Sequence, residues 1–265
     1  MHTRIIDFSK YSSLRVGAPI EVQVLESPHE CSQVCGHIIG KANNLLVSPH
    51  ASNLYMLDKH FSFIHIESTC VHIGAAMSSG QICSFFKKHD LGGMEFLQGL
   101  PGSLGGIIKM NAGLKDKRGG MHEIDKRLLE VNINGIWIPS DTLGFGYRKS
   151  AIEGVICAAK IHKIEGFRHE LTQDFLSLRA HHPKKPSCGS CFKNPLGDYA
   201  GRLLESVGLR GFRVGNMGFA QEHANFLVNL GNGTFEEAIK LIDIAKKRVF
   251  ESSGIELECE VQIIT

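Results

Sequence analysis

Hydrophobic and polar residues alternate in short runs over the first two thirds of the chain. "IEVQVLE" (20–26), "FSFIHIE" (61–67) and "VHIGA" (71–75) alternate with a period of two, which predicts half-buried strands. "EVNINGIWIPS" (130–140) alternates on both sides of Asn134-Gly135, a pair suited to the type I′ turn of a hairpin. Ser27, Pro28 and Glu30 form a capping box and predict a helix running to about Gly40. Ser78 and Gln81 open a second helix with Ile82, Phe85 and Phe86 on its apolar face, ending at Gly92. From about residue 167 helical spacing predominates. "ELTQDFLSLRAHH" stops at Pro183, and "DYAGRLLESVG" spans 198–208. "TFEEAIKLIDIAKKRVFESSG" runs from a Thr234/Glu237 box to Gly254, and "EVQIIT" closes the chain as a strand. The pattern is mixed α and β, without repeats or low-complexity tracts.

At 265 residues the chain holds one large domain or two to three small ones. Its hydrophobic fraction is 43% and its charged fraction 21%, ordinary values for a soluble globular protein. A formal net charge of +2 is too small to argue for nucleic acid or an anionic membrane as partner. No apolar run approaches the ~20 residues that span a bilayer. "MHTRIIDFSKYSSLR" lacks a signal-peptide core, so a cytoplasmic protein is expected.

Eight cysteines then need an account. In a reducing compartment they are thiols, and Cys31, Cys70, Cys83, Cys157 and Cys259 sit among apolar neighbours as small core residues. Cys31 and Cys35 are expected on one helical face. "RAHHPKKPSCGSCFKNP" (179–195) is less ordinary, with Cys188 and Cys191 at CxxC spacing beside paired histidines and basic residues. A tetrahedral zinc site needs four ligands, and no second pair is in sequence reach. A redox dithiol needs CxxC opening a helix, but prolines flank this one. No metal is expected. His181 and His182 read as a helix end; Arg179, Lys184 and Lys185 read as phosphate contacts or solvated loop charge.

Glycines crowd "MEFLQGLPGSLGGIIKMNAG" (94–113). Glycine lets backbone N–H groups converge on a phosphate, or lets two chain segments pack closely. The GxGxxG dinucleotide fingerprint is absent. Glycine count alone leaves both readings open.

"EFLQGLPGSLGGIIKMNAG" resembles the flavin-binding signature of the UDP-N-acetylenolpyruvoylglucosamine reductase family, the MurB enzymes of bacterial cell-wall synthesis. "YSSLRVGAP" (11–19), "ASNL" (51–54), "FGYRKS" (145–150), "SCGSCFKNP" (187–195), "AGRLLESVGLRG" (200–211), "HANFLVN" (223–229) and "LECEVQII" (257–264) are similar to further motifs of that family, in its order. Only 39 positions separate Ser150 from Ser190, which is similar to the short family type without an inserted tyrosine loop.

The resemblance implies an α+β architecture: an FAD-binding fold of vanillyl-alcohol-oxidase type in two subdomains (1–58 and 59–166), then a C-terminal α+β substrate-binding domain (167–265) whose last strand returns toward the active site. It implies non-covalent FAD held by Arg15, Ser52, Asn53, Gly99, Pro101, Gly102, Ser103, Gly105, Gly106, Asn111, Ala112 and Gly113. It also implies NADPH as hydride donor and UDP-N-acetylglucosamine enolpyruvate as substrate, reduced to UDP-N-acetylmuramate by a monomer that binds neither nucleic acid nor membrane. By motif position Arg148 carries charge stabilisation at the substrate carboxylate, Glu260 assists there in protonated form, and Ser190 protonates the enol. Lys193 is expected to assist Ser190, with Tyr147, Asn194 and His223 as further substrate contacts. One departure is visible: "SPHASN" has Pro49, His50 and Ala51 where the family's loop has glycines, so fewer amides are expected at the pyrophosphate. Another FAD-dependent oxidoreductase of this fold, or a non-catalytic nucleotide-sugar binder, are the alternatives.

Overall fold

The computed structural model describes residues 1–265, which divide into two compact units. Unit 1 comprises residues 1–4, 22–41 and 53–180; unit 2 comprises 5–21, 42–52 and 181–265.

Unit 1 is built on a five-stranded antiparallel sheet in the order Ile136–Pro139, Leu128–Ile133, Ile156–His162, Cys70–Gly74, Ile64–Ile66. The expected hairpin is present: Asn134 (φ 51°) and Gly135 (φ 90°) both lie in the left-handed region that a type I′ turn requires. Helix Ser79–Lys88 starts at its capping box and buries Ile82, Cys83 and Phe86. The core joins Val71, Ile73, Phe86, Phe96, Ile108, Val131, Ala159 and Phe175. Residues 23–25 pair in parallel with Tyr55–Leu57, and His37–Ile38 pairs in parallel with Leu54 and Tyr55.

Unit 2 holds an antiparallel sheet in the order Ser187–Ser190, Phe226–Asn229, Met217–Phe219, Arg213–Val214. Helix Phe235–Ser253 runs from the Thr234/Glu237 box to Gly254, whose φ of 71° is the left-handed C-cap glycine accepts without strain. Ala238, Leu241, Ile242, Ala245 and Val249 pack its apolar face against Cys191, Phe192, Leu203, Leu204 and Leu227. The closing strand Gln262–Ile264 pairs in parallel with Leu45–Val47.

The units do not follow the expected boundaries at 58/59 and 166/167. The segments around Leu14, Val16 and Leu46 enter the unit 2 core, because Leu45–Val47 needs the closing strand as its partner. Helix His169–Arg179 stays with unit 1, because Phe175 packs onto Gly99 and enters that core. The Ser27 box does open a helix, but it spans only Pro28–Cys31. Past it, Gly36 must approach the Asn53 carbonyl so closely that a Cβ would lie 2.0 Å away, and the chain turns into a strand; Cys35 lies beyond the helix. The region after 167 is also less helical than its spacing predicts, since short buried strands carry no periodicity of their own.

Candidate active site

In unit 1, residues 99–113 form a loop leading into helix Leu104–Lys109. Its glycines divide by role. Gly99, Gly105 and Gly113 face inward, where an added Cβ would meet Leu114 at 2.9 Å, Ala75 at 3.3 Å and the His122 carbonyl at 2.3 Å. Gly102 (φ 150°) and Gly106 face outward: the nearest atoms to an added Cβ are Ile107 Cγ1 at 3.5 Å and Ser103 Oγ at 3.6 Å. With exposed Pro101 they present bare backbone, onto which a flat or phosphorylated ligand can close. Leu104 N–H donates to the Met77 carbonyl and Gly105 N–H to the Ala75 carbonyl, both at 2.9 Å. Those two helix-start donors are engaged in the fold, so this loop does not offer the full set of amides of a phosphate nest. The close-packing reading holds at Gly99, Gly105 and Gly113. The residues fit a flavin through the Gly102–Gly106 face.

Asn111 departs from its expected role. Its side chain is 2% exposed; Nδ2 donates to the Gly146 carbonyl (3.2 Å) and Oδ1 accepts from Asp125 N–H (3.2 Å). The side chain brackets the 145–150 loop. In that loop Gly146 and Lys149 exchange backbone hydrogen bonds at 3.0 and 3.2 Å, so Tyr147 and Arg148 form the tip of a tight turn. Arg148 has φ 54°, a left-handed conformation that costs a non-glycine residue about 1 kcal/mol. Its Nη2 donates to the Gly113 carbonyl at 3.2 Å, and its guanidinium lies 5.5 Å from the Tyr147 ring centre. Tyr147 is itself exposed. Strain of this kind persists where a side chain must be aimed.

Asn53 also has positive φ (53°), and Ala51 does not. In the "SPHASN" stretch His50 N–H donates to Ser48 Oγ (3.2 Å) and Ala51 N–H to the Ser48 carbonyl (3.1 Å), closing a turn with Pro49 at its second position. Ala51 is buried without strain. His50 lines a cleft of about 580 Å³ in unit 2 with Phe235, Ile239, Lys240 and Lys247. Arg15, another expected flavin contact, has φ 55°, and its carbonyl is held by Asn229 Nδ2 at 2.9 Å.

The second group lies in unit 2. Ser187 pairs with Val228 but Ser190 with Phe226, so three steps on one strand oppose two on the other. This β-bulge is absorbed by Gly189 at φ 80°, and Gly189 N–H donates to Ser187 Oγ at 3.1 Å. Bulges re-aim side chains, here that of Ser190. Glu260 is tied to the same strand: its N–H donates to the Cys191 carbonyl at 2.8 Å, and Asn44 Nδ2 donates to the Glu260 carbonyl at 2.9 Å.

Asn225 is the residue that motif reading missed. Its Oδ1 accepts from Phe192 N–H (3.0 Å), its Nδ2 donates to the Phe192 carbonyl (2.8 Å), and its own carbonyl accepts from Cys191 N–H (2.7 Å). The side chain imitates a strand and fixes the Ser190 segment. The signal available in the sequence was a polar residue inside the apolar run "HANFLVN", since a buried amide must be partnered.

The expected substrate contacts fare unevenly. Lys193 Nζ pairs with Glu258 Oε1, and Lys193 N–H donates to the Glu258 carbonyl at 2.9 Å. Asn194 Oδ1 accepts from Ala200 N–H at 3.0 Å, the first amide of helix Ala200–Ser206, whose N-cap position is Tyr199. His223 Nδ1 accepts from Asn225 N–H at 3.2 Å, which leaves the proton of the neutral ring on Nε2. Its ring lies edge-on to Phe226 at 5.0 Å, and His182 packs against the same ring at 4.8 Å. Desolvation there lowers the His223 pKa. Cys188 and Cys191 are buried; burial pushes the Cys188 thiol up to about 12 and raises Cys191 as well, which is unsuited to a reactive dithiol.

The class of protein, an oxidoreductase, follows from relatives that match the chain over its full length. A family model for the UDP-N-acetylenolpyruvoylglucosamine reductase C-terminal domain matches residues 181–264. Over 267 residues the chain is 56% identical to the UDP-N-acetylenolpyruvoylglucosamine reductase of Helicobacter hepaticus, covering 100% of both chains. It is 50% identical over 259 residues to that of Helicobacter pylori strain 26695, covering 98% of each. The crystal structure of UDP-N-acetylenolpyruvylglucosamine reductase (MurB) from Thermus caldophilus is similar with a TM-score of 0.85 at 29% identity, over 100% of each chain. The chain belongs to the UDP-N-acetylenolpyruvoylglucosamine reductase family, and its α+β fold class is the one expected.

Proposed function

We infer that the chain reduces the enolpyruvyl group of UDP-N-acetylglucosamine enolpyruvate to give UDP-N-acetylmuramate, with NADPH as donor, in peptidoglycan precursor synthesis. Full-length identity to enzymes of that name is the observation that carries the reaction. Bound FAD supplies hydride transfer between NADPH and the substrate double bond.

The chain's own residues supply the rest. As hydride reaches one alkene carbon, negative charge develops on the neighbouring carbon and its carboxylate. The Arg148 guanidinium stays cationic and offers planar paired donors to that carboxylate. Its aim is supported by the tight turn at 146–149 and by the Gly113 carbonyl. Glu260 assists at the same carboxyl group. Ser190 Oγ delivers the proton that completes the saturated product. The bulge at Gly189 and the side-chain clamp of Asn225 support that assignment. Lys193, paired with Glu258, balances charge near the strand, and Tyr147 and His223 are substrate contacts; Asn194 contributes through the helix whose first amide it holds. Flavin contacts are assigned to Arg15, Ser52, Asn53 and the outward face of Pro101, Gly102 and Gly106, with the buried Ser103 and Gly113 and the half-buried Ala112 contributing from the same segment. The enzyme acts as a monomer in the cytoplasm, where nucleotide sugars and NADPH are available. No helix is long and apolar enough to cross a membrane.

The purified protein tests this reading. Visible flavin absorbance, bleached by NADPH and restored by the enolpyruvyl substrate, is expected. A colourless protein after reconstitution with FAD, or bleaching that the substrate does not reverse, contradicts it.

A further inference from the structure

Away from these residues, unit 1 contains a cleft of about 330 Å³ lined by Gly92, Gly93, Arg127, Ile164, Gly166 and Arg168, with the exposed Glu165 at its rim. Gly92 permits close packing, since an added Cβ would lie 2.5 Å from the Gly166 carbonyl. The Arg127 stem lies across Gly93 (φ 94°), where an added Cβ would meet Cδ at 3.4 Å and Nε at 3.5 Å. Gly166 (φ 86°) has open space where a side chain would stand.

Two arginines line the cleft, and the carboxylates near them are Glu95, Asp90 and the lining Glu165. Glu95, 1% exposed, already accepts from three donors: Gly93 N–H at 2.8 Å, Arg168 N–H at 3.0 Å and Arg168 Nε at 3.5 Å. Asp90 Oδ1 accepts from Phe167 N–H at 2.9 Å, and its carbonyl accepts from Gly166 N–H at 2.8 Å. The buried Glu95 and the exposed Asp90 are engaged elsewhere, and Arg127 Nε is buried with no hydrogen-bond partner. Burial and then the neighbouring Arg168 both lower the Arg127 pKa, while Glu95 only partly offsets them. An unpaired buried guanidinium donor is costly to a fold, and a second cation beside it adds to the cost. A ligand oxyanion removes both penalties.

We propose that the Arg127–Arg168 cleft is an anion-binding site that takes a phosphate group, free or as a monoester of a small organic molecule. A tetrahedral phosphate accepts from two guanidiniums at once, whereas a carboxylate matches one fork. The cleft exceeds a bare phosphate in size and leaves room for a small organic substituent.

Titration calorimetry on the FAD-loaded enzyme tests this, with chloride adjusted to hold ionic strength constant. Inorganic phosphate and glycerol 3-phosphate are the two probes; whichever binds more tightly identifies the source. Saturable binding of at least one is expected. Arg127→Gln should weaken it at least tenfold, and Arg168→Gln should weaken it too. The Arg127→Gln melting temperature in phosphate-free buffer should match the parent within about 2 °C, because Arg127 has no partner in the fold to lose. Absence of saturable binding by either probe overturns the proposal. So does unchanged affinity in Arg127→Gln, or a phosphate-free melting temperature that falls as far as the phosphate response does.

Discussion

The backbone N–H of Glu260 donates to the Cys191 carbonyl at 2.8 Å, so a glutamate near the C-terminus is locked one residue from the bulge that aims Ser190. Sixty-nine positions of sequence separate Ser190 from Glu260, and two short hydrogen-bonded stretches tie their backbones to the same segment. The second is held by Asn225, on the other side of the same strand.

Asn225→Ala should therefore damage both stability and turnover. It leaves Phe192 N–H and C=O without partners in a buried strand, at a cost of about 2–4 kcal/mol. The melting temperature should fall by several degrees, and kcat should drop more than KM changes, because the serine loses its aim. Calorimetric unfolding with steady-state kinetics checks this; a fully active, equally stable variant contradicts the clamp.

Arg148 should show opposed effects of backbone and side chain. Its φ of 54° is strained for any Cβ-bearing residue. Arg148→Gly and Arg148→Ala lose the same guanidinium and the same bond to Gly113, so both should lose at least a hundredfold in turnover. Arg148→Gly should nevertheless be about 1 kcal/mol more stable than Arg148→Ala. Equal stabilities in chemical denaturation would show that the turn relaxes.

The "SPHASN" loop turns its own amides, those of His50 and Ala51, back onto Ser48. Ala51 does not adopt positive φ. Glycines at 49 and 51 should therefore leave FAD affinity within about threefold, while lost chain stiffness lowers stability by about 0.5–1 kcal/mol per site. Tighter flavin binding in equilibrium titration would mean that the native loop does withhold amides.

Local signals were legible where chemistry and conformation coincide. Asn134-Gly135 named its turn, Thr234 and Gly254 bounded their helix, and Gly102 marked open backbone. What stayed hidden depends on distant partners. The Ser27 box opens a helix correctly, but its length is set by how closely Gly36 meets Asn53. The compact units also run differently along the chain, because Leu45–Val47 pairs with the closing strand, over two hundred positions away. Among the candidate residues, Arg148 and Ser190 were proposed from motifs alone, whereas the hydrogen bonds that Asn111 and Asn194 make inside the fold had no signal, since an amide's partners are invisible in sequence.

Acid sensitivity should trace in part to His72. Burial lowers its pKa, partly opposed by Glu67, and its Nε2 is buried without a partner among Phe63, His65 and Trp137. Below the ordinary 6.5 the unfolded chain binds the proton more strongly than the folded one. This contribution is thus full above 6.5 and is lost as pH falls through the lowered folded value. His72→Phe should flatten the decline in melting temperature between pH 7 and 5 by about 2–4 °C. An unchanged slope contradicts the assignment.

Rapid mixing of Ser190→Ala tests the central claim most directly, because flavin absorbance follows the two half-reactions separately. Reduction by NADPH needs no proton delivered to substrate carbon and should stay within about tenfold of the parent. Reoxidation by the enolpyruvyl substrate should slow by at least the ~10²–10⁴-fold that a general acid supplies. Reoxidation at the parental rate would show that Ser190 is not the acid and that the bulge at Gly189 serves binding alone.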